Sequence, residues 1–180
     1  MAVARKYFTL LKKTFNIKTD VSVRQGMENR SSRIYSVCIR KHEDAIRVLQ
    51  AAKLIDLYGE IEENLSLAQN VVIRKSCCKR AFIRGAFLAA GSISDPEKFY
   101  HFEIACTAPA KAVQLQELML FFGLEAKIIQ RKKYNVVYLK EGSQIVELLG
   151  LMEAHVALME LENIRILKEM RNSVNRQVNC

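Results

Sequence analysis

The chain has 180 residues and a mass of 20.6 kDa, enough for one large domain or two small ones and for burial of roughly 70% of its unfolded surface. Half of the residues are hydrophobic, about a quarter are charged and only two are prolines, which excludes long disorder, collagen and low-complexity chains. Lys and Arg exceed Asp and Glu by 28 to 19, and the excess is uneven: residues 1–56 carry 12 basic and 5 acidic side chains, residues 81–180 carry 12 and 11. That asymmetry points to a polyanionic partner, nucleic acid first and an anionic membrane surface second.

In chain order, Tyr7 to Ile17 predicts a helix ending at Phe15, with Asn16 as a left-handed cap before the apolar Ile17. A strand is expected from Asp20 to Gln25, a long polar turn over Gly26 to Arg33, and a returning strand from Ile34 to Ile39. A short amphipathic helix follows with Ile46 and Leu49 on its apolar side. The stretch from Gly59 to Ser76, rich in Glu, Asn and Gln, reads as a polar linker. A helix then runs from Cys77 to Ala90, and Gly91 to Pro96 leads into a strand from Phe99 to Cys106.

Beyond this point the first pattern returns. Phe122, Gly123 and Leu124 match Phe15, Asn16 and Ile17; strands are expected at Ala126 to Lys132 and Tyr134 to Leu139, with Arg131 matching Arg24 and Val137 matching Val37. Val146 and Leu149 repeat Ile46 and Leu49, and Leu158, Leu161, Ile164 and Leu167 continue as helix. The expected fold class is α+β, an αββαββα pseudo-repeat with an incomplete first copy. Residues 1–58 are expected to be its partial first repeat, 59–76 the linker, 77–160 the second repeat and 161–180 a C-terminal helix and the start of a further linker. The second copy is expected to hold four antiparallel strands backed by helices.

Within the Cys77 to Ala90 helix, Gly85 and Ala89 lie four residues apart on one face, where a second helix could approach closely. This segment, in such a repeat, resembles the LAGLIDADG helix of homing endonucleases. The stretches Cys77 to Ser92, Asn135 to Glu141 and Met170 to Cys180 are similar to the WhiA family of bacterial transcription regulators. That resemblance covers nearly the whole chain. It implies a degenerate LAGLIDADG domain followed in the family by a helix-turn-helix, with roles in sporulation and cell-division control. It also implies a fragment, lacking the first LAGLIDADG helix and the helix-turn-helix, and it assigns Gly85, Ala86, Ala89 and Ala90 to packing between repeat helices.

Active LAGLIDADG nucleases place an acid near the end of each motif helix to hold divalent metal at the scissile phosphate. Here Ala90 occupies that position and offers no oxygen, and Asp95, beside Pro96, suits a turn. No enzyme activity, metal or cofactor is therefore expected. His42, His101 and His155 are dispersed, no GxGxxG or Walker loop occurs, and the five cysteines show no metal spacing. Cys77 and Cys78, next to Lys79 and Arg80, stand as structural thiols or reactive ones at a helix start.

The candidate DNA contacts are Arg24, Lys127, Arg131, Lys132, Lys133 and Lys140, on or between strands where the related nucleases grip DNA, together with Arg171 and Arg176 near the end. The alternative is a solvated cationic sheet, with Asn172, Asn175 and Asn179 only capping and breaking the last helix. Two functions follow from these readings: a DNA-associated regulatory module binding phosphates weakly and salt-dependently, or a scaffold for a regulatory protein partner that leaves DNA binding to the family's C-terminal domain; an active homing endonuclease is the third and least favoured alternative. No apolar run approaches the ~20 residues of a membrane-spanning helix, so the expected location is cytoplasmic, without membrane, and the DNA-binding reading makes it nucleoid-associated.

Overall fold

A computed structural model describes residues 1–25, 33–61 and 67–178. The chain divides into two compact units, Met1–Val72 and Ile73–Cys180. In the first, α1 (Ala2–Phe15), the antiparallel strands β1 (Asp20–Gln25) and β2 (Arg33–Cys38), and α2 (His42–Ala51) follow in order. Asn16 ends α1 in the left-handed conformation (φ 55°, ψ 38°), its N–H donating to Lys12 O at 3.0 Å, so that Ile17 turns inward and is buried. Val21, Val23 and Tyr35 share the face of the hairpin towards Ala4 and Phe8 of α1. Ser22 and Arg24 therefore lie on the opposite face. The expected turn at 26–32 lies outside the described residues.

The second unit contains α3 (Ser76–Ala90), β3 (Gly91–Ile93), β4 (Phe102–Cys106), α4 (Pro109–Leu120), β5 (Lys127–Arg131), β6 (Tyr134–Leu139), α5 (Gly142–Leu151) and α6 (His155–Val178). Its four strands are antiparallel in the order β3-β4-β6-β5. Alternation decides the faces. Phe102 and Ile104 of β4, opposite Leu139 and Val137 of β6, are buried on the helix side with Ile83 of α3 and Leu115 and Met119 of α4. Ile145 and Leu148 of α5 and Leu161 of α6 extend this core.

Gly91 joins α3 directly to β3. Its φ is ordinary (−89°), but a Cβ there would collide with the ring of Phe87, and that ring is stacked on Phe102 with centroids 5.0 Å apart. Close approach, not backbone freedom, requires glycine here. Gly123, by contrast, has φ +80° and closes α4 in a Schellman motif: Leu124 N–H donates to Met119 O at 3.1 Å and Gly123 N–H to Leu120 O at 2.8 Å.

Several boundaries differ from expectation. The strand expected from Phe99 begins only at Phe102, because residues 94–101 are held as a turn. Asp95 Oδ1 accepts the Glu97 N–H at 3.0 Å, and Ser94 Oγ donates to Phe99 O at 2.7 Å. The edge strand β5 is shorter than Ala126 to Lys132, since Lys132 takes the left-handed conformation (φ 54°) that starts the hairpin turn. Arg165, Lys168, Arg171 and Arg176 all belong to the last helix, and Asn172 and Asn175, expected to cap and break it, lie inside it without breaking it. That helix runs on from His155 through the boundary expected at 160/161. In the stretch expected as linker, Ile61 bridges Ile55, Ile73 is buried and Ser76 already opens α3.

Candidate nucleic-acid interface

The second unit's sheet is covered on one face by α3 and α4; on the other, called the free face below, Lys127, Ile129 and Arg131 are exposed and Val136 is buried. Strand alternation sends Glu103, Tyr138, Lys127, Ile129 and Arg131 to the free face, since Glu103 pairs with Tyr138, Tyr138 with Lys127, and Arg131 with Tyr134. Lys132 and Lys133 form the β5–β6 turn at one end of this face, and Lys140 stands past β6 at the other. The sequence candidates Lys127, Arg131, Lys132, Lys133 and Lys140 are thus brought together. Lys133 Nζ lies 5.4 Å from the Tyr134 ring centroid and Lys140 Nζ 5.4 Å from that of Tyr138, positions from which flexible ammonium groups remain in water.

Arg131 is engaged. Its Nη1 donates to Glu103 Oε2 at 3.1 Å, and His101 Nε2 meets the same oxygen at 2.9 Å. The Glu103 carboxyl is held below its usual range, chiefly by the His101 hydrogen bond and further by the charge of Arg131, against the opposing effect of partial burial. His101 also stacks on Tyr138, with centroids 5.9 Å apart. These neighbours were not legible as a site. His101 and Glu103 are two apart in the sequence, but Tyr138 and Arg131 join them only through the register of two ladders.

Arg24 lies in the first unit, on the face of its hairpin away from α1, the position equivalent to that of Arg131. Arg171 and Arg176 are exposed on α6, apart from the sheet candidates in the chain. On α6 Arg165 pairs with Glu162 at 3.0 Å, and Lys168 donates to Pro96 O at 2.8 Å, so these two tie the helix down locally. On α3, Gly85, Ala89 and Ala90 are exposed and Ala86 half-buried, and a Cβ on Gly85 would meet nothing within 4 Å. Cys77 and Cys78 sit in the first turn of the same helix. No group of three or more His, Cys, Asp or Glu able to hold a metal occurs among the described residues, and no described helix is long and apolar enough to cross a membrane.

Comparison with known proteins gives the arrangement a family. Residues 1–55 match the WhiA N-terminal LAGLIDADG-like domain. A curated relative, the probable cell division protein WhiA of Lachnoclostridium phytofermentans, is 54% identical over 99% of this chain and 56% of its own length. That of Clostridium novyi is 45% identical over the same shares. The chain therefore spans about half the length of the curated relatives it matches. Among solved structures, full-length WhiA from Thermatoga maritima aligns with a TM-score of 0.63 at 18% identity, over 99% of this chain and 58% of that one. The N-terminal LAGLIDADG domain of a WhiA protein aligns at 0.58 and 19% identity over 84% of this chain and 66% of its own. Both likenesses show the fold. Residues 79–171, more than half of the chain, match the WhiA LAGLIDADG-like domain, and the chain belongs to that family.

Proposed function

We propose that this chain is the DNA-contacting, non-cleaving LAGLIDADG-like part of a cytoplasmic, nucleoid-associated regulator of transcription in cell division or sporulation. The observation that carries the reading is the free sheet face, which carries Lys127 and Arg131, with Lys132 and Lys133 at one end and Lys140 at the other, and on which Arg131 pairs with Glu103. Long cations on a flat antiparallel sheet neutralise backbone phosphates without reading bases. Cleavage is left out because Ala90, at the end of α3, has no ligand oxygen, and Asp95 is occupied by its own turn. The names of the relatives support the setting in cell division.

A second reading has its own support. The exposed small-residue face of α3 lets another helix approach closely, which suits a protein partner. Duplex binding measured against salt separates the two. Four phosphate contacts give a slope of log affinity on log salt of roughly −3 to −4, with micromolar or weaker affinity. Arg131→Ala with Lys132→Ala flattens the slope by about two, and the duplex stays uncut in magnesium or manganese. Affinity that is unmeasurable at low salt, or unchanged in the double variant, gives precedence to the scaffold.

A further inference from the structure

The middle of the free face holds groups that phosphate contact does not need. A recess of about 610 Å³ opens there, lined by Phe99, His101, Glu103, Arg131, Tyr138 and Lys140 among others, within the ~300–1,000 Å³ of small-ligand sites. Three rings form a strip along it, His101 lying 6.5 Å from Phe99 and 5.9 Å from Tyr138 between centroids. Phe99 is 58% exposed and Ile129 46%. Both contacts to Glu103 fall on Oε2, and among the described residues Oε1 has none. Lys140 has no carboxylate partner among the described residues and reaches the recess from its rim.

We infer that this recess is a base site that takes one unpaired nucleotide. Its ring lies on the strip of Phe99 and Tyr138, a base amino group donates to Glu103 Oε1, and the phosphate meets Lys140. The inference rests on the free face being a nucleic-acid surface and deepens that reading by naming single-stranded nucleic acid as the substrate. Bases inside a duplex are stacked on one another and give an aromatic strip nothing to cover. A backbone-only surface needs cations and gains nothing from exposed rings. Aromatic rings on a cationic groove or on a four-stranded sheet are the combination that captures splayed bases. An acceptor carboxylate suits the amino edge of cytosine.

The test compares labelled single strands with a blunt duplex of equal length by fluorescence anisotropy, using the whole chain. The single strand should bind about tenfold more tightly. Tyr138→Leu and Phe99→Ala should each lose several-fold of that affinity and leave the salt slope unchanged, because they remove stacking and no charge. Phe99 sits at an exposed turn, so its truncation leaves folding intact. Oligo(dC) should bind more tightly than oligo(dT); equal binding overturns the role given to Glu103. Free 5′-dCMP matching the strand's affinity and lost in Phe99→Ala supports the recess and assigns it to free nucleotide. Equal affinity for duplex and single strand, with both ring variants silent while Arg131→Ala/Lys132→Ala weakens binding, overturns the base site and leaves the phosphate surface standing. Binding to neither overturns both.

Discussion

Glu103 is the side chain on which the free face turns, because one carboxylate oxygen meets both His101 and Arg131. A carboxyl held below its ordinary value in the folded state contributes stability that is complete above the unfolded pKa, about 4.3, and is lost as pH falls through the lower folded value. Glu103→Gln keeps the shape and removes that titration. Urea midpoints for the two proteins should therefore differ most at neutral pH and converge below about pH 4; a constant gap down to strongly acid pH would show that the ion cluster adds nothing. Gly91 makes a different kind of demand. An added methyl must displace the Phe87 ring from its stack on the fully buried Phe102. Gly91→Ala should cost about 1–3 kcal/mol by overpacking, read from the second unit's urea transition, whereas Gly85→Ala, with open space at its Cβ, should not destabilise α3.

Helix ends show how one sequence pattern is used twice. Asn16 and Gly123 both take positive φ at the end of a helix, and Ile17 and Leu124 behind them are both buried. The short helices repeat the device. After α2, Leu54 N–H reaches Leu49 O at 2.9 Å with Lys53 left-handed; after α5, Ala154 N–H reaches Leu149 O at 2.9 Å with Glu153 left-handed. The first pair was readable because Asn and Gly are the residues that tolerate that conformation, and the strands were readable from alternation bounded by turn residues. The second pair was not, since Lys and Glu carry no such signal and the device shows only in the hydrogen bonds from Leu54 and Ala154 back into their helices. The start of β4 was misread for a related reason: Phe99, Tyr100 and His101 have strand-like side chains, but the Asp95 and Ser94 hydrogen bonds satisfy the backbone locally as a turn.

The two units are built to unequal strength. Among the described residues, Leu11, Ile17 and Ile55 are the buried apolar side chains of the first unit, whereas the second buries a continuous set from Ile73 to Leu161 across α3 to α6. Composition could not reveal this, since apolar residues occur in both; what differs is the number of layers. The first unit has a two-stranded sheet with Val21, Val23 and Ile34 about half exposed, and a lone hairpin backed by little core is marginal in water. The second packs helices against one side of a four-stranded sheet. Local stability follows such differences in buried contact and spreads from near zero to the global value. Amide hydrogen exchange should therefore proceed in two tiers. Ladder amides of β1 and β2 should exchange several orders of magnitude faster than those of β4 and β6, and urea should release the first unit in a separate, earlier transition. Equal protection of the two ladders, with one cooperative urea transition reported by both units, would show that the first unit draws its stability from contacts beyond its own few buried residues.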